Sequence, residues 1–153
     1  MCSSDLLIYE NSFQTTLDVF LSKVRRSHDQ IPALVKIKAA TDIAKGLQFL
    51  HSHEIAHRHL RPSAVFFAGI TGENNVFCKL KDYGAHASSD VDGMEETTPL
   101  YVAPEVFDDC SVTTPDVNLA KQSDIFSFAI IVAELWNCKQ PYSELNKADL
   151  WGL

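Results

Sequence analysis

The stretch "SDIFSFAIIVAELW", residues 123–136, limits the possible folds more than any other part of the chain. It has the length of a helix, with Ser123 or Asp124 in a capping position at its start. It is apolar nearly all the way round. A helix apolar on every face is expected to be buried on every face. The segment from about 124 to 137 therefore reads as the axis of a domain, with other elements wrapped around it.

Several elements are available to wrap it. A long helix is expected from about Pro32, in a first-turn position, to about His51. Leu34, Ile37, Ala40, Ile43, Ala44, Leu47 and Leu50 recur there at three- and four-residue steps and form one apolar face. "TTLDVFLSKVRR" reads as a shorter helix, with Thr15 or Thr16 as cap and Arg25 and Arg26 at the end where cations are favoured. "LLIY" (6–9), "EIAH", "AVFF" and "VFCKL" read as short β runs. The last two are joined through "GITGENN" as a hairpin. Residues 82–105 show no periodicity and read as one long loop, of a length that in compact domains is usually functional or disordered.

Composition narrows the function classes. At 153 residues the chain has room for one domain with a real core. The net charge of -7 disfavours a nucleic-acid or anionic-membrane partner, since polyanions need a basic face. No apolar run approaches the ~20 residues needed to span a bilayer. The opening "MCSSDLLIYE" has neither the basic nor the apolar region of a secretory signal. Cys2, Cys78, Cys110 and Cys138 form no C-x-x-C pair, as expected of reduced thiols in a cytoplasmic protein.

Four landmarks then fall in a fixed order: "HRHLRP" after the long helix, "DYG" at Asp82, "APE" ending at Glu105, and the apolar helix at Asp124. Each tripeptide alone is weak. In this order, separated by suitable elements, they resemble the C-terminal lobe of a eukaryotic protein kinase, whose signatures are H-R-D-L-x-x-x-N, D-F-G and A-P-E. The resemblance covers nearly the whole chain. It implies a mainly α fold with short β hairpins, a hinge at about 9–12, a catalytic-type loop over 57–66 and an activation-type segment over 82–105. It also implies that the N-terminal lobe is largely absent, with no Gly-rich loop or third-strand lysine.

Phosphoryl transfer leaves the protein mainly positioning and charge stabilisation to perform, so the identity of each polar group matters. By the resemblance ATP and Mg are the cofactors, and Asp82 is the retained metal-binding carboxylate. His59 stands where the family has its loop aspartate. A neutral imidazole, of pKa ~6.5, could accept a proton but brings no negative charge. Ala64 stands at the metal-binding asparagine and has no side-chain oxygen to offer. Arg61 replaces the lysine that touches the transferred phosphate and keeps its charge. These changes read as a damaged site. In the nucleotide pocket, the backbone of Glu10 and Ser12 matches the adenine-contacting hinge. Tyr9 falls at the gatekeeper and Phe66 at the adenine floor, both bulky enough to narrow the pocket.

Other positions have a bland reading beside a sharp one. Arg58 could meet a phosphorylated loop residue, with Thr97 and Thr98 among those available, or form a structural ion pair. Asp124 could cap its helix or, by the resemblance, bond backbone amides of the catalytic-type loop. Glu105 is expected to lack the arginine that pairs with it in the family. His51, His53, His57 and His59 crowd together, but no carboxylate or cysteine joins them at ligand spacing. "TTPLYVAPEV" and "LRPSA" lean towards a serine/threonine or tyrosine-kinase-like ancestry.

Three functions follow from this reading. The first is a catalytically impaired, pseudokinase-like domain that binds other proteins as a scaffold, or a fragment of one. The second is an active ATP-dependent serine/threonine kinase within a fuller chain. The third is a non-functional partial product.

Overall fold

The computed structural model describes residues 15–70, 75–83, 98–107 and 116–144. The expected "LLIY" strand, the hinge with Tyr9, Glu10 and Ser12, the turn at 71–74, Thr97, Cys2 and Cys110 lie outside the described residues.

The chain enters through β1 (Thr15–Thr16) and passes directly into α1 (Leu17–Ser27). Thr16 sits at the N-cap of α1, but its hydroxyl makes no capping bond. The two threonines are instead paired with β2. Next comes α2 (Ala33–Ser52), then a 3-10 turn at Pro62–Ala64, and the hairpin β2 (Val65–Ile70) and β3 (Asn75–Leu80). A 3-10 turn at Thr98–Tyr101 and the short α3 (Pro104–Phe107) precede α4 (Val117–Asn137). The sheet is antiparallel in the order β1-β2-β3, with Thr16 opposite Phe66 and Val65 opposite Leu80. The family's mainly helical lobe with a small hairpin is thus the architecture observed.

The core is one cluster: Leu17, Leu21 and Val24 from α1, Val35, Ala39, Ile43 and Leu47 from α2, Val65, Phe67, Val76 and Cys78 from the sheet, and Ile131 and Leu135 from α4. Phe20 stacks on Phe67 with ring centroids 4.1 Å apart. β3 lies so close to α2 that a Cβ on Gly46 would stand 2.9 Å from Leu80 Cδ1, which is why the smallest residue occurs there.

Five expectations need correction. First, the buried stripe of α2 is Val35, Ala39, Ile43, Leu47 and Leu50, while Leu34 and Ile37 are 67% and 52% exposed. The predicted face was rotated by about one position. Alanines at 39, 40 and 44 broaden the apolar band, so periodicity alone does not fix its phase. Second, "EIAH" is not a strand. Glu54 takes a left-handed conformation (φ 59°), and the N–H groups of Glu54 and Ile55 return to the carbonyls of His51 and Leu50, closing α2.

Third, α4 begins at Val117 rather than near Asp124, because Asp116 caps it by accepting from Asn118 N at 3.0 Å. Fourth, α4 is not covered on every face. Ile125 and Trp136 are 53% and 47% exposed, while its buried side includes Ser123, Asp124, Ser127 and Glu134. Fifth, the segment over 82–105 is not wholly irregular, since it holds the 3-10 turn at Thr98–Tyr101 and the first two residues of α3.

Candidate functional site at the loop between α2 and β2

The loop over 57–66 is fixed from below by one carboxylate. Asp124, 1% exposed, accepts from the backbone N–H of His57 (2.7 Å) and of Arg58 (2.8 Å), and meets His51 Nε2 at 2.8 Å. A carboxylate only accepts, so the proton of that last bond is on His51 Nε2. Arg58 is held at φ 69°, a left-handed conformation that costs a non-glycine residue about 1–2 kcal/mol. The charge-assisted bond to its N–H offsets that strain. The α4 aspartate is therefore the loop's anchor, and it lies within the helix rather than at its cap.

His57 is fully buried, and neither ring nitrogen has a hydrogen-bond partner. Burial lowers its pKa first and foremost. The charge of Asp124 opposes this, and the carbonyls of Lys81 and His57 itself pull the same way without meeting hydrogen-bond geometry. His57 is thus an uncharged packing residue. His59, half-buried, is also lowered, by burial and then by the Arg61 guanidinium. At neutral pH His59 is therefore an uncharged imidazole.

Beyond Leu60, which is buried, Arg61 leads into the Pro62–Ala64 turn. Ala64 is buried and contributes only backbone: its N–H donates to Arg61 O at 2.9 Å, and its carbonyl accepts from Lys81 N at 3.0 Å. That second bond joins the loop to the end of β3 and brings Asp82 alongside. Asp82 has φ 60° and its side chain is 64% exposed. Its Oδ2 lies 2.9 Å from Lys81 Nζ, and the same ammonium stands 5.7 Å from the ring centroid of Phe66, itself partly exposed on β2. Backbone strain at a non-glycine residue is often kept at functional positions, and both Arg58 and Asp82 carry it.

The set has one carboxylate, already ion-paired, with no side-chain oxygen at 64 and no anion at 59. It does not fit a magnesium ion held between two protein ligands. Among the described residues no group of three metal-ligating side chains occurs, the crowded histidines included.

A second buried polar cluster was not foreseen. Glu134, with its side chain 2% exposed, accepts from Arg25 Nη1 at 2.8 Å and from Tyr101 OH at 2.6 Å. Ser127 Oγ donates to Tyr101 O at 2.7 Å. Burial and the neighbouring carboxylate raise the Tyr101 hydroxyl far above its usual range, so it remains a donor. This cluster ties the Thr98–Tyr101 turn to α4 and to α1. The sequence did contain a signal, since Glu134 is the lone charge in an otherwise apolar run and a buried charge requires a partner. Glu105, one turn further on, is exposed on α3. Two grooves, of about 670 and 500 Å³, flank the C-terminal end of α4, and neither includes His59, Arg61 or Asp82.

Comparison with known proteins agrees with this geometry. The family model for protein tyrosine and serine/threonine kinases matches residues 2–152. A probable serine/threonine-protein kinase of Dictyostelium discoideum, gdt4, is 25% identical over 131 residues, covering 82% of this chain and 8% of its own length. A putative serine/threonine-protein kinase/receptor of Acanthamoeba polyphaga mimivirus is 34% identical over 127 residues, covering 79% of this chain and 7% of its own length. A serine/threonine-protein kinase-like protein of Arabidopsis thaliana is 29% identical over 115 residues, covering 74% of this chain and 31% of its own. The chain thus spans less than a tenth of the first two relatives and about a third of the last. With its loop anchored on the α4 aspartate and its landmarks in the family order, the chain belongs to the protein tyrosine and serine/threonine kinase family.

Proposed function

We propose that this chain is a catalytically impaired protein-kinase-like domain that acts by binding other proteins, as a pseudokinase scaffold. One observation carries the reading: the frame of the catalytic-type loop is intact while its chemical groups are not. Asp124 holds the loop in place, yet the base position is the uncharged His59, position 64 is a methyl group, and Asp82 is occupied by Lys81. Positioning and charge stabilisation are most of what a kinase supplies, so these losses remove most of the rate enhancement. The retained frame supports a folded surface for protein partners. Cys78 is buried and its thiol is pushed up to about 12 by burial first, then by Asp42, which makes it an unreactive packing residue. Among the described residues no helix is long and apolar enough to cross a membrane.

The relatives' names favour a second reading, an ATP-dependent serine/threonine kinase in a fuller chain. One assay separates the two. The chain is incubated with labelled ATP, magnesium and generic acceptor proteins. No transfer above background is expected. Transfer that disappears on Asp82→Ala would overturn the impaired reading. The paired substitutions His59→Asp and Ala64→Asn are expected to leave this chain inactive, since they do not by themselves place a γ-phosphate.

A further inference from the structure

We draw no further inference here: the strongest candidate, the outward apolar stripe of α4 that carries Ile125 and Trp136, supports no proposal because nothing in the structure shows what covers it.

Discussion

The base of the catalytic-type loop and its rim differ in one respect: how completely their polar groups are satisfied. At the base, Asp124 is buried and receives two backbone N–H groups and one imidazole N–H. At the rim, Asp82 is mostly exposed and paired with the Lys81 ammonium, while His59 is uncharged and Ala64 has no polar side-chain atom. A buried carboxylate with three donors cannot be replaced cheaply, since each abandoned donor costs about 1–3 kcal/mol. A rim carboxylate can change with little penalty to the fold. The stability of the frame therefore constrains the base far more tightly than the rim.

This contrast can be broken experimentally, most severely at its base. Asp124→Ala is expected to cost at least about 3 kcal/mol or to abolish cooperative unfolding, because three donors lose their acceptor and Arg58 its restraint. Urea denaturation followed by circular dichroism measures it. A midpoint equal to that of the parent chain would mean that Asp124 does not anchor the loop.

Next in size is the Glu134 cluster. Tyr101→Phe is expected to cost about 1–2 kcal/mol, and Arg25→Met a similar amount, with the pair coupled through the shared carboxylate. A double-mutant cycle reads the coupling. Strict additivity would show that the two bonds act independently.

A smaller effect is expected from pH. The folded-state pKa values of His57 and His59 lie below the ordinary ~6.5, so the unfolded chain binds more protons as pH falls through that value. Stability should therefore decrease as pH drops below about 6.5, and His57→Phe should flatten the decrease between pH 7.5 and 5.5. Thermal melts at a series of pH values test this, and a melting temperature that rose over the same interval would contradict the buried neutral imidazole.

The smallest effect belongs to the rim. Asp82→Ala is expected to change stability by less than about 0.5 kcal/mol, as for an exposed ion pair. A loss comparable to that of Asp124→Ala would erase the distinction between base and rim.

The family and much of the fold were legible in the sequence. The order of "HRHLRP", "DYG", "APE" and the apolar helix identified the family and picked out His59, Ala64 and Asp82 as the informative positions. Helix α2 was found to within a residue or two, and the hairpin was found with β3 nearly in full and β2 three residues short at its end, since each carries strong periodicity or a clear turn. The start of α4 was missed because Asp116, its real cap, lies in a polar stretch where several residues could cap equally well.

Local chemistry along the chain determined most element types and the landmark order, because those depend on residue identity and short spacing. The partners across the chain were decided only by the tertiary structure. Asp124 meets His57 from 67 positions away, Glu134 meets Arg25 from 109, and the stripe of α2 that is buried depends on where α4 and β3 lie. Lys81 became notable only when its ammonium was found between Asp82 and Phe66. Such contacts follow from the packing of whole elements, and no local pattern encodes the direction in which a side chain will find its partner.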